Sequence, residues 1–134
     1  MSGNCKCSLF VSNEVDATVI AMEPTDVQAH IVNGPSNVEP GAKGQLVVKT
    51  KGTSGTATGS HVHERLNFKK PDGTYLDGYI EISISCPFSS PNSYDLNVVP
   101  PFPYHVIHQL RSKSGPAVVD VVIRDISNDF VGDE

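Results

Sequence analysis

Hydrophobic and polar residues alternate along most of this chain with the two-residue period of a β-strand. The clearest example is the segment 79–85, in which Ile80, Ile82 and Ile84 alternate with other side chains. Short segments of this kind are separated by glycine, proline, asparagine, aspartate and serine, so the pattern predicts about nine strands and no long helix. The predicted strands are residues 7–13, 15–22, 27–32, 45–50, 61–68, 79–85, 94–98, 104–110 and 118–126.

The length and composition of the chain favour one folded domain. Its 134 residues are enough to bury a hydrophobic core, and 38% of them are hydrophobic against 19% charged. The 11 glycines and 10 prolines suit a fold with many turns. We therefore predict a single antiparallel β-sandwich over residues 1–134, with a frayed acidic tail at 127–134. Residues 7–13 and 15–22 would form either a hairpin or one bent strand.

The charge of the chain limits the classes of partner. The net charge of −5 and the pI of about 5.4 argue against a nucleic-acid partner, because proteins that neutralise phosphates generally show a basic surface. The same charge disfavours simple electrostatic adhesion to an anionic membrane. Lipid binding would then require a specific headgroup pocket or inserted apolar side chains.

We expect neither a signal peptide nor a membrane-spanning segment. No apolar segment follows the amino terminus, and no apolar stretch of about 18 residues occurs anywhere. The three cysteines, Cys5, Cys7 and Cys86, are too few for a disulfide framework. We expect a cytoplasmic protein, or one released without a signal peptide, that binds peripherally to target membranes.

Two histidines are the best candidates for metal ligands. In strand geometry His61 and His63 lie on one face about 6 to 7 Å apart, whereas Glu64 points to the opposite face. A third ligand is missing unless His105 or His108 approaches them. We therefore expect no metal site, and a metal-dependent β-barrel enzyme is kept as a third hypothesis.

No segment carries a recognised catalytic motif. Cys5 and Cys7 have one residue between them, where zinc-binding pairs usually have two to four. Residues 52–56 match neither a P-loop nor a nucleophile elbow. We predict a protein that is not an enzyme and that has no cofactor. The hydroxyl-rich segment 51–60 is either a solvated loop or a contact for a sugar or a lipid headgroup.

Aromatic residues occur beside the proline-rich loops, at Phe88, Tyr94, Phe102 and Tyr104. Aromatic side chains on loops serve as membrane or ligand anchors. More often, such residues cover the open end of a sandwich. Both interpretations remain open.

The order of several short motifs resembles that of the aegerolysins, a family of small acidic β-sandwich proteins. The motifs are Phe10-Val11-Ser12-Asn13, Val38-Glu39-Pro40-Gly41, a Gly-Thr segment at 52–56, an Asp-Gly turn, Cys86-Pro87-Phe88 followed by Ser90, Asn92 and Tyr94, and a closing strand at 115–123. They cover most of the chain, and the Cys-Pro-aromatic motif is the most specific. Aegerolysins carry tryptophan in this motif, whereas this chain has Phe88 and contains no tryptophan.

The resemblance implies a protein that binds sphingolipid-containing membranes, often through a phosphoethanolamine-type headgroup. It also implies assembly with a larger pore-forming protein, as in several aegerolysins. The predicted lipid- or ligand-binding residues are Lys51, Thr53, Thr56, Phe88, Ser90, Asn92, Tyr94 and Tyr104. A carbohydrate-binding defence lectin built on a similar sandwich is the alternative.

Overall fold

A computed structural model of the protein describes residues 5–28, 30–52 and 59–125 and places ten β-strands among them. They are β1 (Lys6–Asn13), β2 (Thr18–Ala21), β3 (Thr25–Gln28), β4 (His30–Asn33), β5 (Gln45–Lys51), β6 (Ser60–Lys69), β7 (Tyr79–Cys86), β8 (Ser93–Val99), β9 (Tyr104–Leu110) and β10 (Ala117–Asp125). Every predicted strand overlaps one or two of these elements, which confirms an all-β protein. In these parts of the chain no helix has the length and apolar character needed to cross a bilayer. The predicted tail at 127–134 lies outside the described residues.

The strands form two sheets. Sheet A has the order β4-β5-β1-β10-β9, and sheet B has the order β2-β6-β7-β8, with β3 also paired to β6. All the strand pairs are antiparallel except β1 with β10. A parallel pair needs a long connection, and here nearly the whole chain lies between the two strands. The predicted β-sandwich is confirmed, with one parallel pair in the middle of sheet A.

The hydrophobic core lies between the inner faces of the two sheets. In β7 the predicted alternation is observed, since Ile80, Ile82 and Ile84 are buried and the residues between them are half-buried. Leu9 in sheet A and Phe68 in sheet B are fully buried members of the same core. Burying a side chain of this size stabilises the fold by about 1.5–3 kcal/mol. The core therefore determines which face of each strand points to solvent.

One predicted strand is two strands in the structure. Residues 27–32 fall on Thr25–Gln28, which pairs with β6 in sheet B, and on His30–Asn33, which pairs with β5 in sheet A. The chain thus passes from one sheet to the other within this segment. An alternating pattern is the same in either sheet, so the sequence does not reveal the change.

The first two predicted strands do not form a hairpin or a single bent strand. β1 belongs to sheet A and β2 to sheet B. The buried side chain of Asn13 stabilises the connection, because its amide donates hydrogen bonds to the carbonyl oxygens of Ala17 at 2.8 Å and Val38 at 3.1 Å. By pairing with these backbone groups, the Asn13 side chain stabilises the segment in which the chain passes from sheet A to sheet B.

The sandwich has two ends that differ in their loops. We call the end at which β1 and β10 begin the loop end. There the backbone N–H of Gly52 donates to the carbonyl oxygen of Cys5 at 2.8 Å, and the connections at 87–92 and 111–116 lie beside each other. The opposite end, which we call the far end, carries the connection at 100–103.

Candidate functional site

A cavity of about 500 Å³ opens at the loop end. Residues 86–92 and 113–115 form its walls, and the buried Cys5 also lines it. Among its lining residues are three of the predicted binding residues: Phe88, Ser90 and Asn92. Lys113 also lines the cavity, and the sequence pattern does not predict it. The β7–β8 and β9–β10 connections therefore build one site from distant parts of the chain.

Asn92 joins the two walls of this cavity. Its backbone N–H donates to the carbonyl oxygen of Lys113 at 2.9 Å. Its side-chain amide donates to the carbonyl oxygens of Ser112 at 3.1 Å and Gly115 at 3.0 Å. Asn92 is only 5% exposed, so its amide is used for internal bonds. The side chain predicted to contact a ligand thus holds the two loops together.

Phe88 is presented on the surface beside the cavity and is 49% exposed. The backbone of Phe88 packs closely against Gly59. If residue 59 had a Cβ atom, that atom would lie 2.8 Å from the carbonyl oxygen of Cys86 and 3.2 Å from the backbone nitrogen of Phe88. Only glycine permits so close an approach. The loop is held against the sheet while the Phe88 ring remains accessible.

The polar lining of the cavity consists of hydrogen-bond donors and serine oxygens. Lys113 is the one charged side chain among the described residues that line it, and Ser89, Ser90 and Ser114 supply hydroxyl groups. Ammonium and hydroxyl groups donate to the oxygen atoms of phosphates and sugars. Because no carboxylate occurs among the described lining residues, the cavity suits an anionic or oxygen-rich neutral group.

Three thiols that are distant in sequence come together beneath the loop end. Cys5, Cys7 and Cys86 are all buried and free, and the Cys86 thiol interacts with the Cys5 side chain. Burial raises the pKa of the Cys86 thiol, and it also raises the pKa of the Cys7 thiol. Because the thiolate is the reactive form of cysteine, Cys7 and Cys86 are poor nucleophiles. These observations favour a packing role for both thiols.

Tyr94 connects the edges of the two sheets next to the cavity. Its hydroxyl lies 2.8 Å from Nδ1 of His108, and the two ring centroids are 5.7 Å apart. Tyr94 is the second residue of β8 in sheet B, whereas His108 belongs to β9 in sheet A. The half-buried Tyr94 ring also packs against the core. This position supports the interpretation of Tyr94 as a cover over the open edge of the sandwich.

Tyr104 lies away from the cavity, at the far end. Its ring packs against Phe102 with centroids 5.5 Å apart and against Phe68 at 6.0 Å. Phe102 in turn contacts Phe68 edge-on at 4.9 Å. Burial raises the pKa of the Tyr104 hydroxyl. Tyr104 and Phe102 therefore cover the far end of the core and do not share a site with Phe88.

The predicted residues of the Gly-Thr loop are only partly described. Lys51 is the last residue of β5 and reaches the loop end outside the cavity lining. Thr53 and Thr56 lie outside the described residues.

The two histidines of β6 share one outer face of sheet B, as predicted. Nδ1 of His61 lies 2.8 Å from the Ser85 hydroxyl, and Nδ1 of His63 lies 2.7 Å from the Ser83 hydroxyl. Nε2 of His61 is 3.3 Å from Asp26, and Nε2 of His63 is 3.6 Å from Glu81. Among the described residues, no group of three or more candidate ligands is arranged to hold a metal ion.

Glu64 points away from these histidines into the core, also as predicted. It is 1% exposed, and neither carboxyl oxygen has a hydrogen-bond partner within the described parts of the chain. Burial, with a smaller contribution from the negative charge of Glu23, raises the pKa of Glu64 to about 8. The carboxyl is therefore mostly protonated at neutral pH, because an ionised group without a partner is costly in an apolar core.

Comparison with known proteins shows a similar fold and no family. No protein-family model and no curated protein matches the chain. Among solved structures, the crystal structure of IP-1A from Alcaligenes faecalis is similar, with 18% sequence identity and a TM-score of 0.51. The match covers 90% of this chain and 91% of IP-1A. At this identity the similarity supports the β-rich fold alone, and membership of the aegerolysin family stays a prediction.

Proposed function

We propose that the protein binds membrane lipids through its loop end and catalyses no reaction. The observation that carries this proposal is the exposed ring of Phe88 beside a cavity lined by hydroxyl groups and Lys113. An apolar group for the bilayer and polar donors for a headgroup thus lie next to each other.

The exposed ring of Phe88 is the proposed membrane anchor. Moving a phenylalanine side chain from water into an apolar phase is favourable by about 1.5–3 kcal/mol. Because the packing of Gly59 and the hydrogen bonds of Asn92 already order the loop, little conformational entropy is lost when Phe88 enters a membrane. These features favour insertion of Phe88 over a purely electrostatic contact.

The cavity is the proposed headgroup site. The Lys113 ammonium suits the phosphate oxygens of a sphingolipid-type headgroup, and Ser90 and Ser114 suit its remaining oxygen atoms. The resemblance to aegerolysins suggests the same class of ligand. Action together with a larger pore-forming protein is part of the proposal on the ground of that resemblance alone.

Co-sedimentation with vesicles tests this proposal. Sphingomyelin with cholesterol and ceramide phosphoethanolamine should each be compared with phosphatidylcholine. We expect selective binding to one sphingolipid mixture, weakened about tenfold or more by Phe88→Ala. Tyr75→Ala is the matched control, because Tyr75 is 51% exposed but does not line the cavity. Equal loss of binding in both variants would contradict the proposal.

A carbohydrate ligand is the second candidate for the same cavity. Serine hydroxyls beside an aromatic ring also suit a sugar, because the ring covers its apolar face and the hydroxyls meet its oxygen atoms. Binding to glycans with no binding to any vesicle would favour this function over lipid recognition.

A further inference from the structure

We propose that the loop end carries a second lipid contact, a row of basic side chains that binds anionic phospholipids in the membrane recognised by the cavity. The basic row consists of His30, Lys51 and Lys6, with Lys49 next to it. This inference rests on the proposed lipid binding and extends it to the composition of the target membrane.

The basic row follows from the strand register of sheet A. Lys51 of β5 lies directly opposite Lys6 of β1 on one side and opposite His30 of β4 on the other. Directly opposite residues project from the same face of a sheet, with Cβ atoms about 4.5–5.5 Å apart. Cys7 and Thr50, the adjacent residues in β1 and β5, are buried in the interior. Lys6 and Lys51 therefore project from the outer face.

The lysines of this face have no acidic partner in the described parts of the chain. The ion pairs there include those of His61 with Asp26, His63 with Glu81, Arg111 with Asp120 and Arg124 with Glu14. None of them includes Lys6, Lys49 or Lys51. Within the strands of sheet A the acidic residues are Asp120, which is already paired, and Asp125, which ends β10 at the far end.

This arrangement is unfavourable for the isolated protein. Like charges that are directly opposite each other destabilise a sheet, and here Lys6 and Lys51 form such a pair. An anion between the two ammonium groups would replace this repulsion with charge-assisted hydrogen bonds. The arrangement therefore indicates a surface that meets an anion during function.

The basic row lies close to the proposed membrane anchor. Lys6 follows Cys5, whose thiol is 3.9 Å from the carbonyl oxygen of Pro87, the residue before Phe88. Gly52, the residue after Lys51, donates a hydrogen bond from its backbone N–H to the carbonyl oxygen of Cys5 at 2.8 Å. A membrane that accepts the Phe88 ring therefore comes near both lysines.

The net charge of the whole chain does not represent the local charge at the loop end. The sequence next to the basic row, at 1–4 and 53–58, contains no acidic residue, although the whole chain has a net charge of −5. The expectation that net charge disfavours an anionic membrane therefore does not apply to the loop end. The positive charge of the basic row complements anionic lipids, which supports these lipids as its ligands. Stable membrane binding often combines an inserted apolar group with a basic patch.

Vesicles of two compositions test the inference. One set contains phosphatidylcholine, the preferred sphingolipid and cholesterol, and in the other set phosphatidylserine replaces part of the phosphatidylcholine. A lysine near an anionic membrane contributes about 1 kcal/mol. Lys6→Gln with Lys51→Gln should therefore weaken binding to the anionic vesicles about 30-fold and leave binding to the neutral vesicles unchanged.

The matched control is Lys69→Gln with Lys70→Gln, which removes two exposed lysines at the far end. This control should bind both vesicle sets as the native protein does. Thermal unfolding should show that both double variants are folded, and removal of the Lys6–Lys51 repulsion should not lower the midpoint.

The outcomes separate this inference from the proposed function. Equal binding to neutral and anionic vesicles would overturn the basic row but leave lipid recognition by the cavity in place. The inference would also be overturned if phosphatidylserine strengthened vesicle binding of the Lys6→Gln, Lys51→Gln double variant as much as that of the native protein. If soluble polyglutamate bound as tightly as the anionic vesicles, the basic row would be a binding surface for an acidic protein, and this result would contradict the lipid contact. No binding to any vesicle would overturn both proposals.

Discussion

The side-chain amide of Asn92 donates a hydrogen bond to the carbonyl oxygen of Gly115 at 3.0 Å. Asn92 ends the connection between two strands of sheet B, and Gly115 belongs to the connection between two strands of sheet A. This bond therefore fixes the relative position of loops from different sheets. Because these loops carry Phe88 and Lys113, the shape of the proposed lipid site depends on a contact buried beneath it.

Replacement of Asn92 should lower the stability of the fold and disturb the packing of the two loops that form the site. Asn92→Ala removes the amide that donates to the carbonyl oxygens of Ser112 and Gly115, and it leaves Gly115 only the weak hydrogen bond from the Cys86 thiol at 3.5 Å. We therefore expect the free energy of unfolding to fall by about 1–3 kcal/mol. Urea unfolding measures this change. Asn97→Ala, on an exposed position of β8, is the control and should change stability by no more than about 0.5 kcal/mol. A similar small change for Asn92→Ala would contradict its proposed role.

Glu64 should make the protein less stable as the pH rises. The pKa of this carboxyl is about 8 in the folded protein, against an ordinary value of 4.5. Between these values the folded state keeps a proton that the unfolded state has lost, so the free energy of unfolding decreases by up to about 1.4 kcal/mol per pH unit. Below this range both states hold the proton, and above it neither does, so the contribution is constant there.

The substitution Glu64→Gln isolates this effect. The stability of the variant relative to the native protein should increase as the pH rises from about 5 to about 8. Urea unfolding at several pH values measures the difference, with Glu39→Gln as the control at an exposed carboxyl. A difference between native and variant that is independent of pH would show that Glu64 ionises in the folded state as it does in water.

Phe102 should matter for stability and not for lipid binding. Its half-buried ring packs against Phe68 at the far end, so Phe102→Ala should cost about 2 kcal/mol, roughly half the cost of deleting a fully buried phenylalanine side chain. Phe88→Ala should leave the free energy of unfolding nearly unchanged. Thermal or urea unfolding, together with vesicle binding of the folded variants, distinguishes the two rings. Reduced vesicle binding by folded Phe102→Ala would contradict this division.

Local sequence pattern predicts the strands well because side-chain direction has a period of two residues in every strand. The positions of His61, His63 and Glu64 on opposite faces of β6 follow from this period alone. The strand pattern places Phe88, Ser90 and Asn92 in a loop between two clear strands, whereas their prediction as ligand contacts comes from the resemblance to aegerolysins. These features require no knowledge of distant contacts.

The features that the sequence does not predict depend on long-range register. The pairing of Lys6 with Lys51, the approach of Lys113 to Asn92 and the meeting of Cys5 with Cys86 each join residues far apart in the chain. The two-residue period is satisfied by many pairings of the same strands, so it does not select among them. The core and the loop contacts select the register, and with it the composition of the site.

The most direct test of the central claim uses the absence of tryptophan from this chain. Phe88→Trp places a single indole at the proposed anchor, and Tyr75→Trp places one at an exposed site outside the cavity lining. On binding to sphingolipid vesicles, we expect the indole emission of the Phe88→Trp variant to shift to shorter wavelength and to be quenched by brominated lipid chains, while the emission of the Tyr75→Trp variant stays unchanged. Vesicle binding that leaves the emission of the Phe88→Trp variant unchanged, or that shifts the emission of the Tyr75→Trp variant instead, would contradict lipid recognition by the loop end.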